Sequence, residues 1–174
     1  FQTASIMTTT GFGTADYLLW PPVAHALLLA LMAVGGCAGS TGGGMKVIRW
    51  LLIVRQSSRE LKRLVHPSAE IPVKLGDRAV PRRVMEAVWG FFSAYVTVFA
   101  FMMAILMFTG LDQVTAFSAM AASLNNLGPG LGGVAENYSA LDAHVKWGLI
   151  FAMLLGRLEI FTLLVLFTPA FWRR

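Results

Sequence analysis

Charge is what this sequence has least of. Charged residues fill 13% of its 174 positions, against roughly 25% in an ordinary soluble domain. Hydrophobic residues make up 56% and the mean hydropathy is +0.66, so the chain lacks the polar surface to coat a soluble globule of its size. Cysteine is scarcer still. Cys37 stands alone, which excludes a disulfide within the chain and any CxxC metal site. His25, His66 and His144 are far apart and carry no ligand spacing; each reads as a loop or interface histidine. Catalytic motifs are missing as well. Gly128 to Gly133 formally matches GxGxxG but follows a helical stretch outside any βαβ context. Gly39 to Lys46 resembles a phosphate loop, yet Met45 separates the last glycine from the lysine and no Ser or Thr follows. AGSTG around Ser40 misses GxSxG by one residue. An enzyme is not indicated. The chain opens on Phe1, in mid-pattern and with no signal peptide, and is expected to be a piece of a longer protein.

What is there is oil, basic residues in one block, and glycine. Ala87 to Phe108 runs 22 residues without a charge, enough to cross a hydrocarbon core of ~30 Å at ~1.5 Å per residue. Trp147 to Phe171 is as long but contains Arg157 and Glu159. Val23 to Val34 is too short to cross alone and runs into GGCAGSTGGG, Gly35 to Gly44, six glycines in ten residues. Beyond that string MKVIRWLLIV resumes a helical pattern, with Lys46 and Arg49 three apart on one face. Two half-length helices around a flexible middle together span the bilayer. Phe117 to Gly133 is amphipathic and then loop-like, too short for a span, and reads as a re-entrant helix and loop.

Lys46 to Arg83 holds ten of the fourteen Lys and Arg, and Arg173 and Arg174 add two more. Asp16, Asp112, Glu136 and Asp142 sit at the opposite span ends, with Lys146 alone in opposition. The positive-inside rule places the basic block and the C-terminus in the cytoplasm, and the turns near Gly11 and Gly128 outside. Basic patches also suit nucleic acid, but between two spans the membrane reading prevails. The linker His66 to Pro81, with three prolines and Gly76-Asp77, is an exposed connector and a contact for a soluble partner.

A repeat ties these pieces together. TTTGFG (Thr8 to Gly13) and NNLGPG (Asn125 to Gly130) each place Gly-x-Gly in a polar turn before a long apolar segment. With Gly11 and Gly128 equivalent, the glycine string falls at the offset that covers Ala152 to Phe161 in the second copy. One copy carries a flexible loop there; the other carries Arg157. The offsets suggest one gate built from both copies. Thr9-Thr10-Gly11-Phe12-Gly13 reads like the TVGYG loop of potassium channels, whose backbone carbonyls replace an ion's hydration shell. The re-entrant helix Asp112 to Asn125, capped by Asp112, would aim its negative C-terminal end at the bilayer midplane and favour a cation. Arg157 near mid-bilayer costs roughly 2.5 to 3.5 kcal/mol on insertion scales, so it must face a wet cavity or a partner. Glu159, two residues on, points elsewhere on the helix and is not its natural partner.

At these residues the sequence resembles the membrane subunit of the Trk-type potassium uptake systems, in the Trk/Ktr/HKT superfamily. TTTGFGTADY (Thr8 to Tyr17), GGCAGSTGGGMK (Gly35 to Lys46), SLNNLGPGLG (Ser123 to Gly132) and GRLEIFT (Gly156 to Thr162) carry the likeness, in the family's order. The resemblance implies an all-α multi-pass membrane protein of helix, pore loop, helix units around a central ion pore, with a broken helix carrying an intramembrane Gly-rich loop. Residues 1–64 would end the third unit, 65–81 form the cytoplasmic linker, and 82–174 form the fourth unit. In that fourth unit the outer helix would cover about 82–109, the pore helix 112–125, the filter 126–132 and the inner helix 143–171. Thr9, Thr10, Gly11 and Phe12 with Asn126, Leu127, Gly128 and Pro129 would line the K⁺ filter. Gly35, Gly36, Gly39, Ser40, Thr41, Gly42, Gly43, Gly44 and Arg157 would form the gate. The resemblance further implies K⁺ as the transported ion with no organic cofactor, a homodimer in a bacterial cytoplasmic membrane, and a cytoplasmic ring of nucleotide-binding regulatory subunits. Membrane lipids complete the partners, with no nucleic acid among them. Two alternatives stand beside it: a sodium-permeable or sodium-coupled member of the superfamily, and a truncated non-conducting membrane scaffold.

Overall fold

The computed structural model describes residues 1–69 and 71–173; Arg174, counted above with the basic residues, lies outside the described residues. Among those residues the chain forms α1 (Gln2–Met7), α2 (Pro22–Val34), α3 (Val47–Val65), α4 (Arg82–Phe108), α5 (Gln113–Leu124), α6 (Ala143–Arg157), α7 (Phe161–Leu166) and α8 (Pro169–Trp172). Short 3₁₀ turns lie at Tyr17–Leu19 and Gly132–Val134. The linker contributes a two-residue hairpin, β1 (Lys74–Leu75) antiparallel to β2 (Arg78–Ala79), turned at Gly76 with φ +60°. Everything else regular is helical.

Local chemistry sets most boundaries. Pro22 opens α2, where its missing N–H is not needed, and Pro81 precedes α4 in the extended conformation that stops a helix from running backward. Asp112 caps α5: its Oδ2 accepts the Thr115 N–H at 3.0 Å, and hydrogen bonding from the Thr115 side chain and then its N–H holds the carboxyl below the usual range. That stabilisation is therefore present at neutral pH and is lost only as pH falls through the lowered value.

The bundle is organised around α5. Nine of its twelve residues are buried, and most are small: Ala116, Ser118, Ala119, Ala121, Ala122 and Ser123. Small side chains let α4, α6 and α2 approach it closely, which is how helices pack where lipid removes the hydrophobic drive between them. Leu106, Met120, Leu124, Val134, Leu149 and Leu155 fill the space between α4, α5 and α6. The outward faces are apolar as well, with Phe101, Ile105 and Phe108 exposed on α4 and Trp147, Phe151 and Leu154 on α6. In water each would forfeit about 25 cal/mol per Å²; against hydrocarbon none does. Among the described residues α4 is the one helix long and apolar enough to cross a membrane alone.

The inner helix expected over 143–171 is not continuous. It stops at Arg157, passes Glu159 and Ile160 with φ of +54° and +48°, and resumes as α7 at Phe161. The reason is tertiary. The Ile160 side chain is almost fully buried, its N–H turns back to the Leu155 carbonyl at 2.8 Å, and Glu159 is drawn out to two cations of another segment.

Candidate functional site

Two helix ends of the same form stand side by side. At the end of α1, Thr8 N–H donates to Ala4 O, Thr9 N–H to Ile6 O and Thr10 N–H to Ser5 O. At the end of α5, Asn125 N–H donates to Ala121 O, Asn126 N–H to Ser123 O and Leu127 N–H to Ala122 O. Every donor and acceptor in the second set lies 117 positions after its counterpart in the first. Thr9 and Asn126 both take φ +54°, the left-handed turn that closes a helix and is usually left to glycine. Threonine is branched at Cβ, so its place there carries strain of order 1–3 kcal/mol that the surroundings must hold. Gly11 and Gly128 then take φ +79° and +108°.

The two loops touch through their backbones. A Cβ on Gly11 would stand 2.4 Å from the Leu127 carbonyl oxygen and 3.1 Å from Pro129 Cδ, so only glycine permits this approach. Side chains around them hold individual carbonyls. Ser5 Oγ donates to Phe12 O at 2.7 Å, Ser118 Oγ to Leu131 O at 2.8 Å, and Tyr138 Oη to Gly128 O at 2.6 Å. Tyr17 reaches across from the first loop to donate to Gly130 O at 3.0 Å. Burial pushes the Tyr138 phenol up to about 12 and raises that of Tyr17, so both keep their protons near neutral pH. Thr10 is satisfied locally, its Oγ1 2.7 Å from Thr8 Oγ1, and the Phe12 ring is exposed.

The glycine string folds back beneath these loops. Its ends meet, since a Cβ on Gly44 would lie 2.8 Å from Gly35 Cα, and Val47 N–H donates to Gly36 O at 3.1 Å across the neck. Gly35 and Gly44 are both at positive φ, and Ser40 Oγ stiffens the turn by accepting Gly42 N–H at 3.0 Å. Gly39 has open space around it. Gly43 presses on the end of α5, where a Cβ would fall 1.7 Å from Asn125 O, while its N–H donates to Thr9 Oγ1 at 3.2 Å. Asn125 is itself fixed by Tyr95 Oη at 2.9 Å and by its own bond to Ala121 O.

The broken inner helix meets the string from the other side. Gly156 lets α6 lie against the same helix end, a Cβ there falling 1.8 Å from Leu124 O, and Asn126 Nδ2 donates to Met153 O at 3.2 Å. The Arg157 guanidinium donates to the Thr41 carbonyl of the string. Glu159 is not simply turned away; it accepts from Lys46 Nζ at 3.1 Å and Arg49 Nη2 at 2.6 Å. Arg49 also lies 4.0 Å over the Phe91 ring. These charged groups and Thr41 surround a cavity of about 170 Å³. Sequence patterns had singled out neither the Glu159 pairs nor the two tyrosines. Lys46 and Arg49 on one face were the visible trace of the former, and Tyr17 closes the TTTGFGTADY stretch without a signal of its own.

Backbone carbonyls at helix C-termini, arranged in paired loops, present partial negative charge that suits a bare cation. Residues 1–174 match the TrkH family, described as cation transport protein. The chain belongs to that family. It is 58% identical over 173 residues to the Trk system potassium uptake protein TrkH of Escherichia coli K12, covering 99% of this chain and 36% of that protein. It is 60% identical to TrkH of Vibrio parahaemolyticus over the same shares, and 40% identical to TrkG of Escherichia coli K12. The crystal structure of the potassium transporter TrkH from Vibrio parahaemolyticus superposes with a TM-score of 0.92 at 59% identity, covering 99% of this chain and 37% of that one. The chain thus spans about a third of the length of the TrkH relatives it matches. Its fold is the all-α membrane transporter fold of that family.

Proposed function

We propose that this chain forms part of the ion path of a potassium uptake protein in the bacterial cytoplasmic membrane. The observation that carries the reading is the contact of Gly11 with the Leu127 carbonyl, which sets the two loops side by side, as neighbours on one ring would stand. Two adjacent loops occupy part of such a ring, and the rest would come from the parent protein's other repeats. Carbonyls of Thr9 to Phe12 and Asn126 to Pro129 replace the hydration shell of K⁺. The C-terminal ends of α1 and α5 add their negative ends below. The string from Gly35 to Gly44 lies under the loops, and with Arg157 it controls passage. The basic face of α3 and the linker points to the cytoplasm and receives the nucleotide-binding regulatory ring, and the parent is a homodimer.

The test is rubidium uptake by the full-length parent in a potassium-uptake-deficient bacterium, with excess K⁺ or Na⁺ as competitor. K⁺ should abolish uptake and Na⁺ should leave it intact. Gly128→Ser, which forces a side chain onto φ +108°, should cost about 1–3 kcal/mol of backbone strain and reduce that preference about tenfold. Equal competition by both ions in the parent would favour the sodium reading, and no uptake would overturn the transport reading.

A further inference from the structure

A selectivity filter needs more than carbonyls. It needs something outside the ring to fix where each carbonyl points, because a free peptide plane rotates at little cost. Two carbonyls here are held by groups of their own pore helix, Phe12 O by Ser5 and Leu131 O by Ser118. Two are held from elsewhere. Tyr138, in the segment between the second loop and α6, donates to Gly128 O at 2.6 Å. Tyr17, which follows the first loop, donates to Gly130 O at 3.0 Å and lies 3.4 Å from Ala135 O. The Tyr17 backbone is anchored in turn, with its carbonyl 2.7 Å from His25 Nε2 on α2.

The two phenols therefore do different things to one piece of backbone. Tyr138 sets the Gly128 peptide, which has no side chain and, among the described residues, no other hydrogen bond to restrain it at φ +108°. Tyr17 crosses from one repeat to the next and ties the strand after the first loop to the strand after the second, fixing the distance between neighbours on the ring. Both are partly buried.

We infer that Tyr138 and Tyr17 are positioning residues of the filter, holding the Gly128 carbonyl and the spacing of the two loops, and that their hydroxyls determine how well Na⁺ is refused. The inference rests on the filter reading above. A smaller ion is refused only where the carbonyls cannot close in on it, so loosening the brace costs selectivity before it costs rate.

The experiment uses the full-length parent with Tyr138→Phe, Tyr17→Phe and Gly128→Ser, each expressed in the uptake-deficient bacterium. Phenylalanine keeps the ring and its packing and removes only the hydroxyl. Rubidium uptake is measured against rising Na⁺, together with the maximal rate and the amount of protein in the membrane. For Tyr138→Phe the Na⁺ concentration that halves uptake should fall about threefold to tenfold, the range that one ordinary hydrogen bond commands. The maximal rate should change little. Tyr17→Phe should move in the same direction, by less. If Gly128→Ser shifts Na⁺ competition while both phenylalanine variants leave it at the parental value, the tyrosine brace is wrong and the filter stands. If Gly128→Ser also leaves it unchanged, the filter reading falls and the brace falls with it. A lower maximal rate at unchanged competition marks a purely structural role and overturns the inference. Should Tyr138→Phe fail to reach the membrane, Tyr17→Phe decides by the same criterion.

Discussion

Gly156→Ala in the full-length parent is expected to lower the apparent melting temperature in detergent by about 5 °C or more, as overpacking of several kcal/mol would. The added methyl group would stand 1.8 Å from Leu124 O and 2.8 Å from Leu124 C, both backbone atoms at the end of α5. No rotamer change can clear them. α6 would have to move off α5, breaking the Asn126 bond to Met153 O and uncovering Ala152 and Leu155, which are buried there. Gly148, two turns earlier on the same helix, supplies the control. A Cβ at that position meets only Met102 Cε, at 3.9 Å. Gly148→Ala should therefore hold or raise the melting temperature, since alanine in a helix interior gains roughly 0.5–1 kcal/mol over glycine. Equal behaviour of the two variants would mean that α6 does not dock on α5 through Gly156.

The same measurement separates two kinds of glycine that the sequence shows alike. Gly43→Ala would put a methyl group 1.7 Å from Asn125 O, as tight as Gly156, but Gly43 lies in a loop rather than in a packed helix. There the strain is relieved by moving the string, so stability should fall less than in Gly156→Ala.

Much of this arrangement is readable in the sequence. Long uncharged runs need length alone, and the glycine string is conspicuous because six glycines interrupt an apolar segment. The two loops announced themselves through a repeated Gly-x-Gly, and the shared hydrogen-bond pattern at the ends of α1 and α5 has the local cause such motifs imply. The break after Arg157 was not readable. Leu158-Glu159-Ile160 contains neither glycine nor proline, and a β-branched residue at positive φ contradicts every local preference. What holds it is Lys46 and Arg49, over a hundred positions earlier, pulling on Glu159. The Tyr17 brace was hidden for the same reason. A hydroxyl that meets a carbonyl 113 residues away leaves no period or spacing in the sequence.

Arg157→Ala is expected to raise basal rubidium flux through the full-length parent about tenfold or more, measured without the regulatory ring proposed above. Two effects add. The guanidinium donates to Thr41 O and so pins the middle of a string whose ends are already pinned by the contact of Gly35 with Gly44. Its charge would also stand beside the proposed path, and a unit charge at 4 Å opposes a cation by about 1 to 4 kcal/mol between bulk water and a protein surface. The Lys46, Arg49 and Glu159 group leaves one net positive charge nearby, so the barrier is lowered rather than abolished. Arg157→Lys separates the two effects, because lysine keeps the charge but loses the planar fork. Flux near the parental value in the lysine variant would assign the barrier to charge. Flux as high as in the alanine variant would assign it to the bond with Thr41. Flux unchanged in Arg157→Ala would remove Arg157 from the gate altogether, leaving the contacts of Gly43 with Asn125 O and Thr9 Oγ1 as what holds the string under the loops.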